Sequence, residues 1–156
     1  MLIVCQNTID QMVADAKAHY PDEACGLLIG EKGQNSVSEF VPIKNVYNEM
    51  HERYPDIYPR TAKTAYLIDP KEQQRLFDEA EKNGQEVKGI VHSHTDHDAY
   101  FSSEDKLVAA PWGEPNYPGV SYFVVSIWNR ELKEINEFYW DNATKDFLQN
   151  KLPVGA

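Results

Sequence analysis

A His-X-His segment at the end of an apolar run constrains this chain more than any other feature of its sequence. His92 and His94 follow residues 87–91, a run that is typical of a buried strand. A strand rises about 3.3 Å per residue and its side chains alternate, so the two imidazoles should share one face, roughly 6.6 Å apart. Rings at that spacing can converge on one metal ion at about 2.0–2.1 Å each. The segment therefore predicts a strand that ends at a metal site.

A serine and an aspartate supply the rest of this pattern. Seven residues separate His94 from Ser102, and Asp105 follows three positions later. Ser102 and Asp105 approximate a capping box, so Asp105 should be held rigidly in the first turn of a helix. Two imidazoles, one carboxylate and a water are typical of catalytic zinc, because structural zinc is usually closed by four protein ligands. The alternative is that the histidines are accidental and that the serine and aspartate only cap a helix.

Hydrolysis at such a site also needs a base that takes a proton from water and returns it to the leaving group. The chain offers five candidate carboxylates: Asp22, Glu23, Asp96, Asp98 and Glu104. Glu23 precedes the apolar run 24–30, and a carboxylate at a strand entrance can reach the end of a neighbouring strand. Asp96 and Asp98 lie on a loop that should face solvent. On spacing alone, a solvated helix-to-strand corner is the favoured interpretation of Glu23.

Length and charge exclude several classes of function. A chain of 156 residues suits one domain with a sizeable core. Its formal net charge of −10 argues against nonspecific nucleic-acid binding, because it has no cationic excess to replace phosphate counterions. The sequence has no apolar span of about 20 residues and no basic leader. Cys5 and Cys25 form no disulfide-rich pattern. We therefore expect a cytoplasmic protein that does not bind membranes.

Hydrophobic periodicity and turn residues predict alternating helices and strands. The predicted helices are 8–20, 69–83 and 102–110. The predicted strands are 2–5, 24–30, 36–43, 64–68, 86–94, 121–128 and 132–140. This alternation implies an α/β fold, a mixed β-sheet with flanking helices. Residues 144–152 are expected either to add a helix or to fray.

The stretch 44–63 is long for a connection, and loops of this length are commonly functional or disordered. It contains Tyr47, Tyr54 and Tyr58. Two interpretations of these tyrosines stay open at this point: they contact a partner, or they pack onto their own domain.

The candidate site residues together resemble the motif of the JAMM (MPN+) metalloprotease family. That motif consists of a glutamate, His-X-His, seven residues and Ser-X-X-Asp. This chain matches it at five positions: Glu23, His92, His94, Ser102 and Asp105. The likeness is to the small single-domain bacterial branch and covers about residues 5–140. It implies a cytidine-deaminase-like α/β architecture, with a metalloprotease domain at 1–141 and a C-terminal tail at 142–156 that either forms a short helix or frays.

The resemblance also implies a role for each matching residue. His92, His94 and Asp105 would bind one zinc ion per chain. Glu23 would act as the general acid and base on the water at the fourth coordination position. Ser102 would help to stabilise the oxyanion of the tetrahedral intermediate.

One position departs from the family's pattern. Thr95 stands where the family usually has proline. This substitution predicts a more mobile loop at 96–101, with an effect on substrate fit rather than on metal binding. His97 is not part of the motif and is interpreted as a surface residue.

The reaction of the family is hydrolysis of amide or isopeptide bonds after the C-terminal glycine of ubiquitin-like proteins. The resemblance therefore implies a zinc metallopeptidase acting after the Gly-Gly end of a ubiquitin-like sulfur-carrier protein of the ThiS/MoaD type. One alternative is a general zinc peptidase, and another is a non-catalytic MPN-type interaction module. That module should have lost motif residues, and none is lost here. Zinc-dependent nucleobase deamination would need an HxE…PCxxC pattern, which the chain lacks.

Overall fold

Ten helices and strands follow one another in the computed structural model, which describes residues 1–153. The helices are α1 (Gln6–His19), α2 (Tyr47–Arg53), α3 (Pro70–Lys82) and α4 (Ser103–Ala109). The strands are β1 (Cys25–Glu31), β2 (Glu39–Ile43), β3 (Gln85–Thr95), β4 (Ser121–Trp128), β5 (Glu131–Asp141) and β6 (Asp146–Lys151). They form one six-stranded sheet in the order β2-β1-β3-β4-β5-β6. None of the helices in this described part of the chain is long and apolar enough to span a membrane.

The sheet is mixed because its central pair differs from the others. β3 runs parallel to β4, with His92 opposite Val124, whereas the other four neighbouring pairs are antiparallel. A parallel pair requires a crossover connection. Residues 96–120, which contain α4, make that connection and bring α4 back to the end of β3. The topology therefore places the serine and aspartate beside the two histidines.

β3 buries both of its faces. Ile90 belongs to a hydrophobic cluster with Leu76 of α3, whereas Val91 belongs to a second cluster with Met12 of α1. Because side chains alternate along a strand, the two histidines lie on the same face as Ile90. The candidate site is therefore built on the face that α3 covers.

The predicted α/β fold and most of the predicted elements are confirmed. The three predicted helices correspond to α1, α3 and α4, and the predicted strands 121–128 and 132–140 correspond to the antiparallel pair β4 and β5. The predicted strand at 2–5 is reduced to an isolated bridge between Ile3 and Ser36. The stretch 44–63 was predicted as a loop, but it contains α2.

The predicted strand at 64–68 is wrong. The carbonyl of Ala65 and the N–H of Leu67 both bond to the side chain of Asn45, and the carbonyl of Leu67 accepts from the N–H of Val46. Asn45 and Val46 satisfy these backbone groups, so the segment does not join the sheet.

The predicted helix at 144–152 is also wrong, because this region forms β6 at the sheet edge. β6 pairs with β5, with Phe147 opposite Trp140. The Phe147 ring lies 5.0 Å from that of Phe101 and 5.8 Å from that of Tyr122, measured between centroids. These contacts favour the strand, and the sheet thus continues beyond residue 141 into the predicted tail. The end of that tail, 154–156, lies outside the described residues.

Candidate metal and catalytic site

The end of β3 and the first turn of α4 bring the three predicted ligands together. The Nε2 atoms of His92 and His94 lie 3.3 Å apart. Asp105 Oδ2 lies 3.5 Å from His92 Nε2 and 3.9 Å from His94 Nε2. The donor atoms of a tetrahedral zinc ion bound at about 2.0–2.1 Å are separated by about 3.3–3.4 Å. The three side chains therefore fit one zinc ion with shifts of a few tenths of an ångström.

Different contacts orient the two histidine rings. His94 Nδ1 donates to the carbonyl of Asp98 at 2.7 Å, which leaves the lone pair on Nε2 directed at the cluster. His92 Nδ1 is buried and has no hydrogen-bond partner among the described residues. The His92 ring instead stacks on Tyr66, with centroids 4.4 Å apart and planes 18° apart. Two ring nitrogens and a carboxylate oxygen at these distances form an electron-rich cluster that suits a cation.

Burial and neighbouring charges set the protonation states of the ligands. Burial raises the pKa of Asp105, but hydrogen bonds from His92 and Ser102 outweigh it and hold that pKa below its usual range. Burial, together with the neighbouring His92, lowers the pKa of His94 to about 4. An ionised carboxylate and a neutral imidazole are the forms in which these side chains bind metals.

Ser102 and Asp105 form the predicted capping box at the start of α4. Ser102 Oγ accepts from the N–H of Asp105, and Asp105 Oδ2 accepts from the N–H of Ser102, both at 3.0 Å. This reciprocal pair holds the carboxylate toward the histidines. Because Ser102 uses a lone pair in the cap, its own O–H can still donate into the adjacent cavity.

Glu23 lies immediately before β1 and beside the end of β3. Its N–H donates to the carbonyl of Ala62 at 2.7 Å. The next residue, Ala24, accepts from the N–H of Ser93 and donates to the Ser93 hydroxyl. Only 4% of Glu23 is exposed, so the solvated-corner interpretation is wrong.

Burial dominates the electrostatics of the Glu23 carboxyl group. It raises the pKa of Glu23 to about 8, an effect that the charge of His92 partly offsets and that of Asp105 reinforces. A carboxyl group whose pKa lies near neutral pH can both accept and return a proton, as a general acid and base must. Glu104 also borders the cavity, but it pairs with Arg60 at 67% side-chain exposure.

A cavity of about 530 Å³ opens beside the cluster. The residues that line it include Glu23, His94, Ser102 and Asp105. Its remaining walls are largely aromatic and aliphatic, with Tyr47, Tyr58, Tyr66, Ile68, Tyr117 and Tyr122 among them. Pockets that bind organic ligands commonly have volumes of about 300–1,000 Å³ and mostly apolar walls. The candidate base, the serine and two of the three candidate ligands therefore line one cavity, which is large enough to admit an organic ligand.

The tyrosines of the stretch 44–63 differ in whether they pack onto their own domain or are exposed. Tyr47 is buried, and its ring meets that of Tyr58 edge to face at 5.6 Å. Both residues line the cavity. Tyr54 is 51% exposed. Two of the three tyrosines thus pack onto their own domain and form part of the cavity wall.

Thr95 extends β3 and is tied to the cavity wall. Its Oγ1 donates to the carbonyl of Lys63 at 2.8 Å. Within the following loop, 96–101, the carbonyl of His97 accepts from Trp128 Nε1 at 3.0 Å. This loop is therefore hydrogen-bonded to β4, and its greater mobility stays a prediction. The His97 side chain lies outside the metal-ligand cluster.

Sequence analysis missed two residues that support this site. Tyr66 stacks on His92, and Asn45 bonds to the backbone of Glu23. Tyr66 lies in a short apolar run that is typical of a strand, and Asn45 lies near the start of the stretch 44–63, which is predicted as a loop. Their roles depend on contacts between distant parts of the chain, so neither has a local sequence signal.

Comparison with known proteins identifies the family. Residues 6–141 match the family described as prokaryotic homologs of the JAB domain. The chain belongs to this JAB family. The match extends from α1 through β5 and includes all five residues of the motif.

Curated relatives of this JAB domain include two kinds of named protein. The CysO-cysteine peptidases of Mycobacterium tuberculosis and Mycobacterium bovis are 29% identical over 138 residues, which is 88% of this chain and 82% of theirs. A protein named desampylase from Haloferax volcanii is 30% identical over 106 residues, which is 68% of this chain and 63% of that protein.

Solved structures share the fold of this JAB domain. A protein from Salinibacter ruber has a TM-score of 0.63 and 25% identity, covering 96% of this chain and 88% of its own. A protein from Desulfitobacterium hafniense has a TM-score of 0.67 and 24% identity, covering 96% and 90%. A JAB1/MPN domain protein from Archaeoglobus fulgidus has a TM-score of 0.52 and 15% identity, covering 94% and 93%.

Proposed function

We propose that this JAB domain is a zinc-dependent peptidase that hydrolyses the amide bond after the C-terminal Gly-Gly of a ubiquitin-like sulfur-carrier protein. The observation that carries the proposal is the convergence of His92, His94 and Asp105 beside the buried carboxyl group of Glu23. The names of the curated relatives, a CysO-cysteine peptidase and a desampylase, support peptidase activity on small protein conjugates.

The chain's own residues divide the work of amide hydrolysis. Zinc held by the three ligands would supply Lewis acidity, which polarises a carbonyl and makes water easier to deprotonate. Glu23 takes a proton from the attacking water and returns it to the nitrogen of the leaving amine. Ser102 donates its O–H to the oxygen that becomes negatively charged. Burial and the neighbouring His92 keep His94 neutral, and the Asp98 carbonyl fixes the orientation of its ring.

The residues that line the cavity support a glycine on the acyl side of the bond. The scissile carbonyl must lie close to Glu23, His94 and Ser102, which all line the cavity. Glycine has no Cβ, so its backbone can approach such a crowded point most closely. A general zinc peptidase is the second candidate, because the tyrosine-lined part of the cavity has room for side chains that Gly-Gly lacks.

Cleavage of a defined carrier tests the proposal. A ubiquitin-like sulfur carrier with residues beyond Gly-Gly is incubated with the zinc-loaded protein, and mass spectrometry follows the loss of those residues. The matched control is the same carrier with valine in place of the second glycine, which should resist cleavage. Equal cleavage of both carriers, or of short peptides without glycine, would favour the general peptidase instead. No cleavage of any substrate would contradict peptidase activity.

A further inference from the structure

Asn45, which lies outside the motif, joins two segments of the site through its side chain. Its Nδ2 donates to the carbonyl of Glu23 at 2.9 Å and to that of Ala65 at 3.1 Å. Its Oδ1 accepts from the N–H groups of Tyr47 and Leu67, both at 3.0 Å. A carboxamide has two N–H donors and two lone pairs, so all four positions are used. Two carbonyls on one side and two N–H groups on the other fix the orientation of this amide.

The segment that Asn45 holds on one side carries the ring that supports a metal ligand. Tyr66 lies between the two bonded residues, Ala65 and Leu67, and it stacks on His92 with centroids 4.4 Å apart. The segment belongs to no strand, and its remaining anchor nearby is the bond from the N–H of Val46 to the carbonyl of Leu67. The Asn45 amide thus satisfies backbone N–H and C=O groups that would pair with a neighbouring strand if the segment belonged to the sheet.

The segment that Asn45 holds on the other side carries the candidate base. Glu23 lies between α1 and β1, where its N–H is bonded to the carbonyl of Ala62. Its carbonyl is bonded to Asn45. The backbone that aims the Glu23 side chain is therefore fixed through both of its polar groups, and one of those bonds comes from Asn45.

We infer that Asn45 is a positioning residue, which fixes the Glu23 carboxyl group relative to the Tyr66–His92 stack. Its catalytic consequence rests on the proposed function. A general base works only within hydrogen-bond reach of its proton, and a misplacement of about 1 Å can cost about 10²-fold in rate. Asn45 contacts only backbone groups in this network, so its effect on the reaction passes through the residues that it holds.

The substitution Asn45→Asp removes the N–H donors of this amide and keeps its acceptor oxygen. It keeps the size of the side chain and the oxygen that accepts from Tyr47 and Leu67, but it puts an oxygen opposite the carbonyls of Glu23 and Ala65. Native-state hydrogen exchange should show the Glu23 amide exchanging at least about tenfold faster, with the amides of β4 and β5 unchanged. Unchanged exchange at Glu23 would overturn the inference. Asn45→Ala, which removes the repelling oxygen, repeats the measurement if the aspartate variant does not fold.

A double-mutant cycle then tests the link to catalysis. Asn45→Asp should lower kcat by about 10–100-fold and change KM by less than about threefold. In a Glu23→Gln background the same substitution should lower kcat by less than about threefold, because the base that it positions is gone. Equal losses in both backgrounds would make Asn45 a merely structural residue. Ile135→Val, which alters only the opposite core, controls for a general loss of stability.

The exchange measurement and the double-mutant cycle distinguish a failure of this inference from a failure of the proposed function. If the parent protein cleaves no substrate, the proposed function fails, and the exchange measurement still decides whether Asn45 holds Glu23 in place. If the parent is active and the cycle is additive, the proposed function stands and the positioning role is wrong.

Discussion

Replacing Glu23 by glutamine should stabilise the metal-free protein, and the gain should grow with pH. Burial raises the pKa of Glu23 from 4.5 to about 8 on folding. Between these values the folded state keeps a proton that the unfolded chain has released, so the free energy of unfolding falls as pH rises. At about 1.36 kcal/mol per pKa unit, the loss is about 1 kcal/mol at pH 5 and about 3 kcal/mol at pH 7. Glutamine is neutral and avoids this loss.

Urea unfolding in the presence of a chelator measures the effect. The buried amide of glutamine costs about 1 kcal/mol or more where its hydrogen bonds are incomplete, so the net gain at pH 7 should be about 1–2 kcal/mol. The cost of the buried amide is the same at both pH values and cancels from their difference. The gain in the free energy of unfolding should therefore be about 2 kcal/mol larger at pH 7 than at pH 5. Glu31→Gln, at the exposed other end of β1, is the matched control for the same substitution at a solvated position. The reasoning is refuted if Glu23→Gln behaves in the same way as that control.

Three further predictions concern the metal and the rate. Zinc analysis should find about one ion per chain in the parent and in His97→Ala but little in His92→Ala/His94→Ala; equal contents would contradict the ligand assignment. Glu23→Gln should keep its zinc while kcat falls about 10²–10⁴-fold; loss of zinc with activity would make Glu23 a ligand or a structural residue. Tyr66→Leu should weaken zinc binding about 10–100-fold in a chelator competition, and Tyr66→Phe should not. Equal affinities of these two variants would mean that stacking does not orient His92.

The clustering of the three candidate ligands could be predicted from sequence because each part of the motif follows a local rule. Alternation along a strand places His92 and His94 on one face, and the capping box places Ser102 and Asp105 at the start of a helix. Glu23 is different, because its burial depends on the pairing of β1 with β3, in which Cys25 lies opposite His92. Spacing along the chain contains no information on that register, so spacing alone favoured a solvated corner.

The wrong predictions share one physical cause, a competition between local propensity and distant partners. Residues 64–68 have the composition of a strand, but the side chain of Asn45 satisfies their backbone. Residues 144–152 could form a helix, but β5 offers an unpaired edge and the aromatic cluster offers a place for Phe147. Strand formation depends on neighbours more than helix formation does, and a single sequence does not specify those neighbours.

The candidate site gathers groups that are individually unfavourable in a buried place. The Glu23 carboxyl group resists ionisation, His94 is held neutral at an ordinary pH, and Asp105 stays charged through its bonds to Ser102 and His92. A divalent cation at the three ligand atoms would offset the charge of Asp105 and favour ionisation of Glu23. Because such a cation binds the folded chain better than the unfolded one, it would also stabilise the fold. Under the proposed function, zinc would thus stabilise the fold at the same point where it would favour the ionised form of the candidate base.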